Sequence, residues 1–254
     1  MKPIVRAEGI GVVFGGLAVL DGMTFEVVSG ETVALLGPSG CGKTTVLRVL
    51  AGVLAPDRGR VEVTTRRVGY LPQGGVLLPW KTVLENVTLP LILRRRRREE
   101  WRGRVSAELE RFGLEGFADA YPYQLSGGMR QRAALLRTVL TGAPVLLLDE
   151  PLGALDSITR RRLQGWLADL IADLSSTLVF VTHDVEEALI LSSRVILLAE
   201  RPARIRHDFV FSFEDRGADR RVHPAFQEAR ERLVAMIEEG ETDDEETGAV
   251  RAVR

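Results

Sequence analysis

Residues 37–45 read GPSGCGKTT, a composition and spacing suited to binding phosphate groups. Such a loop can turn its backbone N–H groups inward, and the N-terminus of a following helix favours a bound anion. Lys43 can reach the β- and γ-phosphates, and the Thr44 hydroxyl can hold Mg²⁺. The alternative is a glycine-rich turn that matches the pattern by accident. The pattern predicts that a nucleoside triphosphate binds to these residues: Gly37, Pro38, Ser39, Gly40, Cys41, Gly42, Lys43, Thr44 and Thr45.

Two adjacent acids, Asp149 and Glu150, follow an apolar run at residues 146–148. A carboxylate at the end of a strand can bind Mg²⁺ directly or through water, and we predict this role for Asp149. Glu150 is then placed to polarise a water molecule for attack on the γ-phosphate. The alternative is that the two acids merely begin a turn.

The string LSGGMRQR at residues 125–132 predicts a second helix end that can bind an anion. Ser126 resembles a helix N-cap, and Gly127 and Gly128 expose backbone N–H groups beside it. A monomer that binds one nucleotide has no evident use for two such ends. If two chains pair head to tail, each helix can meet the γ-phosphate held by the other chain. The plain alternative is a capped helix, which explains Ser126 but not the whole string.

His183 directly follows an apolar run at residues 178–181. Functional sites in α/β sheets lie at the carboxyl ends of the strands, so we favour a role in the site over packing in the core.

The elements that must position these groups alternate between strands and helices, which predicts a doubly wound α/β core. Shorter β-type runs near the N-terminus predict a small antiparallel layer beside the sheet. Residues 79–142 are predicted to be mostly helical, with one helix ending near Gly113 and another beginning near Ser126. The strand predictions cover residues 4–7, 11–14, 23–27, 32–36, 60–63, 67–71, 145–148, 178–181 and 194–198.

The periodic pattern weakens after Pro202. Pro224 is expected to begin a last helix that turns Phe226, Leu233 and Ile237 inward. Seven of the nine residues at 238–246 are acidic, which predicts a disordered tail, with a partner-binding acidic tail as the alternative.

Composition narrows the class of partner. The chain has 34 Lys and Arg against 35 Asp and Glu, so its net charge gives no case for nucleic acid or lipid as the main partner. The arginine run at residues 94–98 could bind an anionic lipid or nucleic acid, but a solvated face is favoured. Cys41 is the single cysteine, which indicates a reducing compartment. No apolar run is long enough to span a bilayer, and a signal peptide is not evident, so we expect a soluble intracellular protein.

Together these motifs resemble the ATP-binding subunit of ATP-binding cassette (ABC) transporters over residues 4–205, with residues 206–254 as an extension. Residues 37–45 resemble the family's Walker A, 125–129 its signature and 146–151 its Walker B. The resemblance implies a P-loop NTPase (RecA-like) core with an inserted helical subdomain at about 79–142. By the same resemblance Gln73 is the Q-loop glutamine, Asp156 belongs to the D-loop, His183 is the switch histidine and Phe14 stacks on adenine. Core packing is the alternative for Phe14.

The resemblance also implies an activity and its partners. It implies ATP hydrolysis with Glu150, His183, Gln73 and Lys43 as catalytic residues. Mg²⁺ would lie at Thr44, Gln73 and Asp149. The implied assembly is a head-to-tail homodimer on transmembrane permease subunits at the cytoplasmic face of the membrane, served indirectly by an extracytoplasmic solute-binding protein. The adenine, phosphate and cross-dimer contacts would come from Phe14, the loop residues, Gln73, Asp149, Ser126, Gly127, Gly128 and Asp156.

The segment at residues 73–87 resembles importer subunits for nitrate, sulfonates and taurine, with relatives that carry thiamine-precursor pyrimidines or riboflavin. The RPARI stretch at residues 201–205 fits the same group. Residues 73–85 are expected to form part of the groove that receives a short permease helix. Leu136-Arg137-Thr138 and Leu152 depart from the family pattern and loosen the choice of solute. A soluble ABC ATPase acting on DNA or ribosomes is the alternative. It is disfavoured because only 83 positions separate Lys43 from Ser126, which leaves no room for long arms.

Overall fold

The computed structural model describes residues 2–153, 157–174, 176–211 and 217–251. Short 3₁₀ helices lie at Pro122–Gln124 and Gly217–Val222. The strands are β1 (Pro3–Phe14), β2 (Leu17–Val28), β3 (Thr32–Leu36), β4 (Arg58–Val63), β5 (Val68–Leu71), β6 (Val145–Asp149), β7 (Thr177–Thr182), β8 (Arg194–Leu198) and β9 (Ile205–Val210). The helices are α1 (Lys43–Leu50), α2 (Val83–Leu93), α3 (Arg98–Arg111), α4 (Gly127–Val139), α5 (Ser157–Asp173), α6 (Val185–Leu191) and α7 (Pro224–Arg251).

The larger sheet has the strand order β5-β6-β7-β3-β8-β9, parallel except for the antiparallel edge strand β9. Its central strands β3, β6 and β7 are mostly apolar and mostly buried, as expected where both faces of a sheet are covered. In β7, Leu178 and Phe180 pack into one core with the helices, and Val179 and Val181 pack into the other core beneath the smaller sheet. Strands β6, β7 and β3 are adjacent and parallel, so their carboxyl ends lie at one edge of the sheet. Asp149, His183 and the phosphate loop lie at or directly after these ends, as the predicted α/β fold requires.

The smaller sheet is antiparallel, in the order β2-β1-β4. The sequence predicts separate short runs here, whereas the structure forms two strands of 12 residues each. Gly9 lies at a shift in the β1–β2 register and has a φ of 58°. A glycine in this conformation forms a bulge that lets the strand continue, which is why the runs join.

The helical region between β5 and β6 agrees with the predicted boundaries. Helix α3 ends just before Gly113, and α4 begins after the cap Ser126, whose Oγ accepts a hydrogen bond from the Met129 N–H at 3.3 Å. The loop before α2 is fixed by Asn86, which is fully buried. Its side chain accepts from the Leu78 N–H at 2.8 Å and donates to carbonyls of the same loop.

Helix α7 begins at Pro224, as predicted, and buries Phe226 and Leu233. Its backbone is helical through Arg251, whereas the sequence predicts disorder in the acidic tail. Glutamate is a good helix former, and this propensity favours continuing the helix. The division into a cassette and an extension stays a prediction. Over the residues described, no helix combines the length and apolar character needed to cross a bilayer.

Candidate functional site

The phosphate loop wraps around the ammonium group of Lys43, which is only 5% exposed. Its Nζ donates to the carbonyl oxygens of Gly37 and Pro38, each at 2.7 Å. An added Cβ at Gly42, where φ is 121°, would lie 3.0 Å from Leu20 Cδ2 and 3.1 Å from Val19 O. Only glycine fits this close approach without strain, so the loop is shaped to curl around a small anion.

Asp149 faces the start of α1 from the end of β6. Its Oδ1 accepts a hydrogen bond from Thr44 Oγ1 at 2.9 Å, and its Oδ2 accepts one from the Tyr70 hydroxyl at 3.4 Å. Burial raises the pKa of the Asp149 carboxyl, and its hydrogen bonds to Thr44 and Tyr70 offset this only in part. A cation bound at this carboxylate would counter the cost of burying its charge.

These oxygens fit a magnesium ion. Mg²⁺ is bound through one or two carboxylates, and substrate phosphates and water complete its shell. The carboxylate of Asp149 and the hydroxyl of Thr44 are hard oxygen donors of this kind, and they already lie in contact. Within the described residues, no group of three or more His, Cys, Asp or Glu side chains could hold a metal unaided.

The Glu150 side chain contacts residues from two loops that are far apart in the sequence. Its Oε2 accepts a hydrogen bond from Gln73 Nε2 at 3.2 Å, and its Oε1 lies 3.4 Å from His183 Nδ1. Its backbone has a φ of 47°, which is uncommon for a residue other than glycine. Gly153 leaves the space that the carboxylate needs, since an added Cβ there would lie 2.7 Å from Glu150 Oε2. Strain of this kind is concentrated at functional sites.

Phe14 lines the same cleft from the last position of β1, next to the turn that leads to β2. Its side chain is 49% exposed, so packing in the core, the alternative considered for it, is wrong. His183 has a side chain that is 43% exposed and is likewise not a core residue. Both residues line the cleft that the phosphate loop also lines.

One cleft brings together most of the predicted site. Besides Phe14, Gln73, Glu150 and His183, it is lined by loop and α1 residues and by residues that sequence reasoning missed. The loop and α1 members are Ser39, Gly40, Gly42, Lys43, Thr44 and Thr45, and the missed residues are Leu17, Val19, Arg48 and Arg201. The Cys41 thiol is buried beneath the loop, and burial raises its pKa.

Two residues that sequence reasoning missed, Arg201 of the cleft and Tyr70 of β5, contact predicted site residues directly. Arg201 donates from Nε and Nη2 to the carbonyl of Gly40, at 3.2 and 2.6 Å. Tyr70 reaches Asp149 because β5 pairs with β6. Arg201 falls in the RPARI stretch that contributes to the family resemblance, and that stretch was the one available signal.

The residues of the predicted signature, at 125–129, do not line the phosphate-loop cleft. Ser126 and Gly128 line a second cleft, together with Gly113, Arg132, Arg162 and Trp166 among others. The structure therefore does not bring the capped end of α4 to the phosphate loop of the same chain. Asp156 lies outside the described residues, so its role stays a prediction.

The loop between β3 and α1, together with the acidic pair at the end of β6, defines a P-loop nucleoside triphosphatase. A sequence model of the family described as "ABC transporter" matches residues 20–153. The chain is 38% identical over 235 residues to the taurine import ATP-binding protein of Jannaschia sp. (strain CCS1), covering 88% of each chain. It is 47% identical over 194 residues to the aliphatic sulfonates import ATP-binding protein SsuB 1 of Pseudomonas syringae pv. syringae (strain B728a), covering 76% of this chain and 80% of that one.

A solved structure agrees with these sequence matches. It is a dimeric post-hydrolysis state of an ATP-binding cassette bound to ADP and Pi, with a TM-score of 0.72 and 30% identity, covering 82% of this chain and 99% of that one. The chain belongs to the ABC transporter family and is an ATPase of that family. The predicted fold and family are confirmed.

Proposed function

We propose that this chain is the ATP-hydrolysing subunit of an importer for a small solute, and that it works as a head-to-tail homodimer. The observation that carries the proposal is the division of the site. The phosphate loop, Glu150 and His183 line one cleft, while Ser126 and Gly128 line another. In a head-to-tail pair, the α4 end of one chain closes over the nucleotide held by the other, and two complete sites form.

Different residues of the cleft would bind different parts of ATP. Phe14 offers an aromatic face to adenine. Lys43 exchanges its two carbonyl partners for phosphate oxygens, and the loop amides bind the remaining charge. Thr44, Asp149 and Gln73 would hold Mg²⁺, which neutralises the charge that develops on the phosphates.

Hydrolysis would be carried out by Glu150 together with Gln73 and His183, the two residues that its carboxylate contacts. Glu150 orients and polarises the attacking water, and a positioned base of this kind contributes about 10²–10⁴ in rate. His183 holds the γ-phosphate beside it. Gln73 contacts Glu150 at 3.2 Å and leads into the helical region, so it can report the state of the γ-phosphate to α2. Asp156 would link the two sites across the dimer.

The surface that receives the permease is proposed to include residues 73–85. Val76 and Trp80 are 60% and 70% exposed there, although both are large apolar side chains. The loop beneath them is held by Asn86 and by the reciprocal Thr82–Glu85 capping contacts. A rigid, partly apolar surface beside the Gln73 loop is suited to a short helix that must move with the nucleotide site.

The curated relatives suggest the class of solute. Their names specify import of taurine, aliphatic sulfonates and a formylaminopyrimidine. We propose a sulfonate, nitrate or a thiamine-precursor pyrimidine for this transporter. An extracytoplasmic binding protein would deliver the solute, and this chain would sit on the permease at the cytoplasmic face.

The test is to purify the tagged chain with the membrane proteins that it retains in detergent. ATPase activity is then measured in lipid with the candidate binding protein, in the presence of taurine, an alkanesulfonate, nitrate or formylaminopyrimidine. We expect one solute class to stimulate hydrolysis several-fold. Recovery of no integral membrane protein contradicts the proposal.

A matched pair of photo-crosslinking positions tests the docking surface. Val76 and Val53 are exposed aliphatic residues on different parts of the chain, at 60% and 68% exposure. A crosslinker at position 76 is expected to capture the permease, and one at position 53 is not. Equal capture from both positions, or capture from 53 alone, would count against residues 73–85.

A further inference from the structure

The turn at the end of α2 gathers a concentration of positive charge that nucleotide chemistry does not use. We call it the basic tip and define it as Ile92, Leu93, Arg94, Arg95, Arg96, Arg97 and Arg67. Residues 92–97 are all exposed. The turn is ordered, because the Arg94, Arg95 and Arg96 N–H groups donate to the carbonyls of Pro90, Ile92 and Leu91 at 3.2, 2.9 and 3.2 Å. The arginines are therefore held together at the end of a helix.

A further positive charge near this turn comes from a residue that is distant in the sequence. Arg67, on the connection between β4 and β5, lies close enough to Arg94 to act on its charge. Burial lowers the pKa of the Arg94 guanidinium, and the neighbouring Arg67 and Arg96 lower it further. An arginine stays charged under such shifts. The tip therefore holds several cations that repel one another.

Carboxylates near the basic tip offset little of this charge. Arg96 Nη1 lies 3.8 Å from Glu100 Oε2, and both side chains are at least half exposed. Among the described residues, Arg96 is the one arginine of the tip with a carboxylate within 4 Å. Glu99 and Glu100, in the first turn of α3, are the nearest acids along the chain. Of the five guanidiniums of the tip, only that of Arg96 has a carboxylate within 4 Å among the described residues, so an anionic partner would gain from the contact.

Two exposed aliphatic side chains lie directly beside the arginines. Leu93 is 74% exposed and Ile92 is 53% exposed. Apolar side chains flanked by arginines match the boundary between lipid headgroups and acyl chains, where each kind of group finds its own environment. A nucleic acid backbone would pair with the arginines but offers aliphatic side chains no comparable surface. The combination therefore favours a lipid surface.

We propose that the basic tip binds the anionic headgroups of a membrane, with Leu93 and Ile92 inserted between them. The contact would give this subunit a weak hold on the bilayer in addition to its permease. The proposal rests on the proposed function for one point, that the chain works at a membrane surface. Vesicle binding by the isolated chain can fail while permease binding succeeds, so the two failures are distinguishable.

The test is co-sedimentation of the full chain with vesicles of phosphatidylcholine alone and with one quarter phosphatidylglycerol. We expect binding to the anionic vesicles only, and weaker binding as the salt concentration rises from 0.1 to 0.5 M. R95Q/R96Q/R97Q should weaken binding at least about tenfold, because each arginine near such a surface contributes substantially. I92S/L93S should weaken it about fivefold by removing the inserted groups.

Matched variants separate the tip from general effects of charge and apolar area. R60Q/R161Q/R206Q removes three exposed arginines elsewhere, and V53S/V210S removes two exposed aliphatic groups. Both should bind like the unaltered chain. Absence of binding to anionic vesicles, equal binding to neutral ones, or equal losses in the matched variants overturns the proposal. So does unchanged binding by I92S/L93S, and a parallel titration with duplex DNA shows whether nucleic acid is then the partner.

Discussion

The phosphate-loop cleft and the capped end of α4 both have features suited to binding an anion, but only the first lies beside the proposed catalytic residues of the same chain. At the loop, Lys43 is buried, and Glu150 contacts Gln73 and His183 at 3.2 and 3.4 Å. At α4, the Ser126 hydroxyl caps its own helix and lies in a different cleft. In the proposed homodimer, each chain would hold ATP at its own phosphate loop, and the α4 end of its partner would supply the remaining contacts to the γ-phosphate.

The largest effect is expected from Glu150→Gln, which keeps the hydrogen-bonding shape and removes the base. We expect kcat to fall about 10²–10⁴-fold while ATP still binds. Because hydrolysis no longer separates the two clefts, light scattering after gel filtration should find a dimer with ATP and a monomer without it. Addition of Lys43→Ala should restore the monomer. A Glu150→Gln chain that stays monomeric at saturating ATP contradicts the paired site.

Lys43→Ala should abolish tight ATP binding even in dilute solution. Loss of one partner from a buried charged contact costs about 2–5 kcal/mol, and the loop would also lose the group around which it is folded. Titration with a fluorescent ATP analogue measures the change. Unchanged affinity would show that residues 37–45 do not hold the phosphates.

Ser126→Ala should reduce the rate of ATP hydrolysis without weakening ATP binding by the monomer. We expect the dilute monomer to bind ATP normally, because this residue lies outside its nucleotide cleft. Hydrolysis should fall by about 10²-fold, the usual effect of removing one donor to a developing charge. Ser126→Thr keeps the hydroxyl and should retain most activity. If Ser126→Ala weakens binding by the monomer as much as Lys43→Ala does, the comparison between the two regions fails.

The sequence predicted the elements whose pattern is local. The apolar run before the glycine loop and the cap at Ser126 carry their own signals, so β3, α1 and α4 were correctly placed. Contacts that depend on strand pairing were missed, as with Tyr70 beside Asp149 and Arg201 beside Gly40. Helix α6 was missed as well, because its seven residues carry little periodicity. The continuous β1 depended on a glycine bulge, which alternation in the sequence does not reveal.

A smaller effect is expected from the buried carboxyl group of Glu187, which lies near His183 in the sequence. Glu187 is 2% exposed, and its Oε2 accepts a hydrogen bond from Thr182 Oγ1 at 2.7 Å. Burial raises the pKa of this carboxyl from 4.5 to about 8. The folded chain thus keeps a proton that the unfolded chain releases. The free energy of unfolding should be highest below the unfolded pKa, fall as the pH rises towards the folded one, and level off above it.

Urea unfolding between pH 4 and pH 9 measures this effect. The contribution has a slope of at most about 1.4 kcal/mol per pH unit. Glu187→Gln keeps an acceptor for Thr182 and cannot ionise, so subtracting its curve isolates the carboxyl. An identical pH dependence in the two proteins contradicts a buried, protonated Glu187.

The most direct measurement asks whether the loop of one chain meets the α4 end of another. Ser39→Cys and Ser126→Cys are placed on separate chains, both with Cys41→Ser and Glu150→Gln, and one chain carries a size tag. Ser39 and Ser126 are both exposed. Under mild oxidation with ATP, we predict a covalent dimer of one tagged and one untagged chain, lost when Lys43→Ala is added to the Ser39→Cys chain. If a single chain with both cysteines instead closes the disulfide within itself and forms no covalent dimer, the two regions belong to one chain's site and the chains do not pair head to tail.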